Sequence, residues 1–128
     1  MIKKSNIVVL FFVVLAFGYV LFMIARRKNI ERKISEDGNY GLAIIKERLK
    51  SKFTTKSFVY SYIVEGKNYF DRDIANVEFS EKYKEGDTII IKYLPNEADK
   101  SMIIEEITYK FCYGNPPKEG WKEIPTCR

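Results

Sequence analysis

The chain has 128 residues, 46% hydrophobic and 15% aromatic, with 22 Lys and Arg against 17 Asp and Glu for a net charge of +5. That length supports one small domain with its own core beside an N-terminal apolar run, and not two. Histidine is absent, which excludes histidine-based catalytic triads, histidine metal ligands and a histidine pH switch together.

The charge is unevenly placed. Residues 1–25 contribute two lysines, Lys3 and Lys4; residues 26–56 carry ten Lys and Arg against four acids; residues 57–128 carry ten against thirteen. The basic excess therefore follows the apolar run directly, and the remainder of the chain is mildly acidic.

Residues 1–6 form a short polar leader. Residues 7–25, IVVLFFVVLAFGYVLFMIA, contain no charge and no proline. As a helix they would span roughly 28 Å, close to the ~30 Å hydrocarbon thickness of a bilayer, and they are predicted to form a transmembrane helix. Ala16-Phe17-Gly18 offers the small residues a signal peptidase reads, so a secreted domain released by cleavage is an alternative. The unbroken apolarity to Ala25 favours an uncleaved anchor. Gly18 is the only glycine in the run, so there is no G-x-x-x-G dimerisation face.

Residues 26–39 read as a basic juxtamembrane linker. Arg26, Arg27, Lys28, Arg32 and Lys33 suit contact with anionic headgroups, each worth ~1 kcal/mol near such a leaflet. They serve equally as the flanking charges that stop an anchor sliding. Ile30 and Ile34 lie one helical turn apart, so the linker continues the helix until the turn-forming Asp37-Gly38. Orientation is contested. The five basic residues after the span favour a cytoplasmic domain, whereas moving Lys3, Lys4 and the amino terminus across an energised membrane is unfavourable.

From residue 40 the period changes to that of strands. A first strand places Ala43, Ile45 and Leu49 on one side and Lys46, Arg48 and Lys50 on the other. The next, residues 57–65, alternates Phe58, Tyr60, Tyr62 and Val64 with Val59, Ser61 and Ile63, a pattern no helix favours. Glu65-Gly66-Lys67 supplies a tight turn in which Gly66 can take a positive φ, and residues 68–74 return antiparallel.

Residues 75–85 are less regular, with Val77, Phe79 and Tyr83 as expected inward anchors, and Gly86-Asp87 closes them as a turn. Residues 88–94 form a further strand, with Ile89, Ile91 and Tyr93 opposite Thr88, Ile90, Lys92 and Leu94; Pro95 ends it. A polar loop over 96–100 is expected to lead into a last strand, 102–109, with Ile103 and Ile107 on one face. The expected fold is mainly β: a small antiparallel barrel or sandwich of about five strands over residues 40–109.

Residues 110–128 are rich in Pro and Gly. Phe111, Tyr113, Trp121 and Ile124 are too many apolar residues for a disordered tail, so the segment is expected to pack on the domain. Cys112 and Cys127 bracket it. In an oxidising compartment a bridge between them would contribute ~3 kcal/mol; in the cytoplasm they would be plain thiols. Pro116-Pro117 does not complete a P-x-x-P ligand.

The residues Tyr62-Ile63-Val64-Glu65-Gly66-Lys67-Asn68-Tyr69, followed by Gly86-Asp87-Thr88-Ile89-Ile90-Ile91-Lys92-Tyr93-Leu94-Pro95, resemble the bacterial domain of unknown function family 3592. Its pattern runs Y-x-V-x-G-x-x-Y, a spacer, then G-D-x-V-x-V-x-Y-x-P. The resemblance covers about residues 40–109 and the preceding helix; Asn96 is followed by Glu97 where the family usually has proline. It implies a small membrane-anchored β domain without an assigned activity.

No polar constellation marks an enzyme. Asp71 and Asp73 share a face of one strand and could hold a hard cation or act as an acid–base pair, yet charges of this kind more often guard a strand edge. Glu105-Glu106 are the other acidic candidates. No catalytic, cofactor or metal residue is assigned, and no small-molecule substrate is identified. Lys56 beside Phe58, Tyr60 and Tyr62 suggests a single-stranded nucleic-acid binder that stacks bases on a sheet, but the acidic distal domain argues against a phosphate-binding face, so nucleic acid is not an expected partner.

The expectation is a single-pass protein of the cell membrane, with the bilayer and an unknown protein as partners and a non-enzymatic β domain used for protein interaction or envelope structure. Its working surface would be an exposed strand edge or the Trp121 region.

Overall fold

A computed structural model describes residues 3–49 and 56–127. Met1 and Ile2 of the leader, Lys50 of the first strand's polar side and Arg128 at the C-terminal end lie outside the described residues. The chain divides into two compact units after Arg32.

Helix α1 spans Lys4–Asp37. Between Ile7 and Ile24 its large apolar side chains are all exposed, so the helix is hydrophobic on every side. It is long and apolar enough to cross a membrane, a test that an N-terminal signal sequence also passes. Its last turns belong to the second unit. There Ile34 is fully buried, and the helix closes with Gly38 N–H donating to Ile34 O at 2.8 Å. Lys92 Nζ donates to Ser35 O at 2.7 Å, placing a cation where the helix leaves its carbonyls unpaired.

The second unit is built on five strands: β1 Asn39–Leu49, β2 Lys56–Val64, β3 Lys67–Ala75, β4 Thr88–Leu94 and β5 Glu97–Ile103, with a short helix α2, Val77–Lys82, between β3 and β4. Their order in the sheet is β3-β2-β1-β4-β5, every neighbouring pair antiparallel. The sheet curls into a nearly closed barrel in which the edge strands β3 and β5 face each other. Four antiparallel steps make those two edges run parallel.

The alternation of β2 sets the interior. Phe58, Tyr60, Tyr62 and Val64 all point inward, and they meet Ala43 and Ile45 of β1 and Ile89, Ile91 and Tyr93 of β4. Asn76 caps α2, its Oδ1 accepting from Phe79 N–H at 2.8 Å. This helix places Phe79 edge-on to Phe58, ring centroids 5.4 Å apart, and against Tyr83 at 4.4 Å, so α2 stoppers one end of the barrel.

Between β2 and β3 the chain turns on Glu65 (φ 52°) and Gly66 (φ 80°), the two positive-φ residues of a type I′ hairpin. Gly86 (φ 90°) and Asp87 form the turn before β4, where Asp87 Oδ2 accepts from Lys84 N–H at 2.9 Å.

A second, smaller core lies on the outer face of β1 and β4. Ile90, Ile104 and Trp121 are buried there, with Tyr40, Leu42, Tyr113 and Ile124 packed around them. The C-terminal segment supplies most of this cover. Trp121 pairs with Tyr40 through Tyr40 N–H to Trp121 O at 2.7 Å and Trp121 N–H to Tyr40 O at 2.8 Å. Cys112 and Cys127 are joined by a disulfide, Cα atoms 5.7 Å apart.

Five expectations need correction. A bulge between Ile45 and Glu47 shifts the register of β1, so Arg48 pairs with inward Phe58 and Leu49 with outward Ser57. Arg48 is thereby turned to the interior side, its Nη2 donating to Ser80 O at 2.8 Å. The last strand is not 102–109: Pro95-Asn96 is a two-residue turn, β5 starts at Glu97, and the strand ends at Ile103. Val77 is exposed rather than an inward anchor, because the α2 turn aims Phe79 at the core and Val77 away from it; and Phe111, expected to pack on the domain, is 91% exposed.

Candidate functional site

Two regions could carry function: the seam where β3 meets β5, and the outer face of β1, β2 and β3.

The seam is built from side chains. Asp71 and Asp73, two apart on β3, point the same way, and Ser101 and Ile103, two apart on β5, present their amides at the same spacing. Asp71 Oδ2 accepts from Ser101 N–H at 3.1 Å and from Ser101 Oγ at 2.6 Å. Asp73 Oδ2 accepts from Ile103 N–H at 2.8 Å. The Oδ1 atoms accept from the next amides of their own strand, those of Arg72 and Ile74, each at 2.8 Å. Two carboxylates thus replace the backbone ladder that would close the barrel.

Two tyrosines pin the same seam from inside. Tyr62 Oη donates to Ala98 O at 2.5 Å, and Tyr60 Oη lies 2.7 Å from Ser101 Oγ. The single Ser101 hydroxyl proton goes to Asp71, since a carboxylate can only accept, so Tyr60 is the donor in that pair. Burial pushes the Tyr60 phenol far above the ordinary tyrosine range, and Asp71 beside it acts in the same direction. Burial likewise pushes Tyr62 up to about 12. Beyond the strands, Glu105 accepts from Asn76 N–H at 3.1 Å and from Asn76 Nδ2 at 2.9 Å.

This arrangement leaves little for chemistry. Ser101 is 1% exposed and its hydroxyl is committed on both sides; the Asp71 and Asp73 oxygens are engaged with amides. Among the described residues no group of three or more Cys, Asp or Glu is placed to hold a metal ion. The β5 amides of Ser101 and Ile103 are taken, so this length of edge is closed to strand addition.

The outer face is different. Ile63 is 69% exposed, Phe70 61% and Ile74 59%, with Ile44 beside them at 43%. Ser61 pairs with both Ile44 and Phe70, Ile63 is two residues on from Ser61, and Ser57 pairs with Ile74, so these side chains share one sheet surface, with the Val59–Arg72 row between Phe70 and Ile74. Large apolar side chains gathered on one exposed surface mark an interaction site more often than do single ones.

The remaining residues singled out from sequence fall in several places. Arg26, Arg27, Lys28 and Arg32 lie on exposed turns of α1, where Arg27 Nε meets Glu31 at 3.1 Å and Arg32 Nη2 donates to Asn29 Oδ1 at 2.9 Å. Lys33, also exposed, begins the second unit. Gly66, Gly86, Asp87 and Pro95 all lie in or beside turns. Trp121 does not offer an interface anchor: it is 9% exposed, its ring edge-on to Tyr113 at 6.4 Å, because the domain itself uses the indole to cover β1 and β4. Phe58 and Tyr60 are fully buried and Tyr62 nearly so, so this aromatic set cannot stack bases on the sheet surface.

Reading the sequence missed Ser101, Asn76 and the partner role of Glu105. The usable signals were Asn76 ahead of Val77-Glu78-Phe79, a helix N-cap pattern, and the two-residue spacing of Asp71 and Asp73 on the barrel's inward parity. No family model, no curated protein and no solved structure matches the chain.

Proposed function

We propose that this chain is a single-pass membrane protein, anchored by α1, whose β domain works by binding and not by catalysis. The observation that carries the reading is the contrast between the two sides of the sheet. Along the seam, Asp71, Asp73 and Ser101 are consumed by the fold; outside, Ile63, Phe70 and Ile74 are exposed on one sheet face. A surface of that kind suits a protein partner or another envelope component.

The uninterrupted helical run of α1 past Gly18 into Arg26, Arg27 and Lys28 supports an uncleaved anchor over a cleaved signal sequence. The Cys112–Cys127 disulfide supports a domain on the oxidising side of the membrane, with Lys3 and Lys4 left in the cytoplasm.

The test has two arms. Full-length protein should stay with vesicles through alkaline carbonate extraction, and release would end the membrane reading. A photocrosslinker placed at Asn68, beside Phe70 in β3, should capture a defined protein in native membranes. That capture should be lost in Phe70→Asp/Ile74→Asp with Trp121 emission unchanged, and capture indifferent to the substitutions would end the binding-face reading.

A further inference from the structure

One part of the outer face is a groove of about 860 Å³, within the roughly 300–1,000 Å³ range of ligand sites. Its floor is the sheet, with Ile44 of β1 and Ile63 of β2; its other wall is the C-terminal strap at Pro116 and Pro117. Proline has no amide hydrogen, so this wall offers no backbone donor at two successive positions. The two isoleucines, otherwise unexplained exposed side chains, are the ones the groove gathers.

The strap is held in place without filling the groove. Glu65 N–H donates to Lys118 O at 3.2 Å, Asn39 Nδ2 to Glu119 O at 2.9 Å, and Trp121 pairs with Tyr40 just beyond. The Cys112–Cys127 bridge ties the two ends of the same segment. A wall fixed at this many points costs little to order when something binds.

The charges at the groove are also biased. Among the described residues lining it, Lys46 and Lys118 are the cations and Glu65 the single anion. Ser61, Thr88, Asn68, Asn115 and Tyr109 add uncharged polar groups to the lining. A groove lined by isoleucines and prolines and by two lysines matches a ligand with a hydrocarbon chain and an anionic head.

We infer that the groove between Ile44, Ile63 and the Pro116-Pro117 strap binds a single-chain anionic amphiphile as a monomer, the chain lying on the isoleucines and the head meeting Lys46 and Lys118. This rests on the reading of the outer face as the working surface, and it names the ligand class for one half of it.

The test uses the full chain in phosphatidylcholine nanodiscs with a diazirine-bearing fatty acid, cross-linked peptides being mapped by mass spectrometry. Labelling should fall on peptides containing Ile44–Lys46, Ile63 or Pro116–Lys118, saturate, and be displaced by excess dodecanoate but not by its methyl ester. Lys46→Glu/Lys118→Glu should reduce it at least fivefold. Ile63→Glu, a change at an exposed position, should reduce it similarly, with Trp121 emission and the disulfide intact in both variants. Labelling confined to residues 7–25, displacement by the methyl ester as effective as by dodecanoate, or indifference to the charge reversal would each overturn the inference. So would groove labelling by a photoreactive phospholipid of the disc that dodecanoate cannot displace, which would make the groove a bilayer contact. Protein capture at Phe70 and Ile74 is read separately, so loss of this inference leaves that reading standing or falling on its own result.

Discussion

Asp71 takes both hydrogen-bond donors of Ser101 on one oxygen, the amide at 3.1 Å and the hydroxyl at 2.6 Å, and so fastens the two edges of the sheet to each other. Asp73 repeats the contact at Ile103. Because β3 and β5 run parallel and belong to opposite ends of the sheet, the closure is a property of side chains and can be removed without breaking any ladder.

Replacing Asp71 by Ala should therefore destabilise the domain by about 2 kcal/mol, since it leaves the buried Ser101 amide and hydroxyl without their acceptor. Asp73→Ala, which orphans one β5 amide, should cost about 1–2 kcal/mol. Urea unfolding followed by Trp121 emission measures both. Losses below a few tenths of a kcal/mol would mean that the carboxylates decorate the seam without holding it.

The tyrosines behind the seam predict an alkaline limit. Tyr62 and Tyr93 are each pushed up to about 12, chiefly by burial, and Tyr60 further still. An unfolded tyrosine loses its proton near ~10. Below that value both states keep the proton and the stabilisation is whole; as pH rises from about 10 to 12 the unfolded chain ionises first and stability falls. Absorbance titration at the tyrosinate band should show Tyr60, Tyr62 and Tyr93 ionising late, as the domain opens. Ionisation of all three near the ordinary value would refute the burial.

Reduction offers a third test. The Cys112–Cys127 bridge closes a 15-residue separation and should contribute about 3 kcal/mol through the unfolded chain. Cys112→Ser/Cys127→Ser, or a dithiol reductant, should lower the urea midpoint accordingly while leaving the β2–β3 hairpin paired. An unchanged midpoint would show that the strap is held by its backbone bonds and Trp121 alone.

The elements that could be read from the sequence are those whose faces are decided locally. In β2 and β4 every second residue is large and apolar, and Glu65-Gly66 can hardly be anything but a hairpin turn. The bulge at β1 was hidden because one extra residue leaves composition untouched yet exchanges the faces of Arg48 and Leu49. β5 was hidden for another reason: Glu97-Ala98-Asp99-Lys100-Ser101 has no apolar alternation, and its strand state is fixed by partners on β4 and by Asp71 and Asp73 across the seam. The acidic pair was visible as a pair, but its task depends on where residue 101 arrives, which no local pattern encodes.

Gly120 gives the most stringent check on the strap. Its φ is +86°, and a Cβ there would stand 2.5 Å from Tyr93 Oη and 2.7 Å from Tyr40 O, one a buried ring's hydroxyl and the other backbone. Tyr40 O cannot withdraw without breaking the Tyr40–Trp121 pairing, in which it accepts from Trp121 N–H at 2.8 Å, and the Tyr93 ring is buried in the core. Gly120→Ala should thus cost more than about 1 kcal/mol, from the left-handed backbone and the contact together. Gly114→Ala, also at positive φ but with nothing within 4 Å of its Cβ, pays only the conformational part. Trp121 emission should shift to the red in the first variant and stay in place in the second. Equal behaviour of the two would mean that Trp121 is not seated against β1 and β4 by this contact.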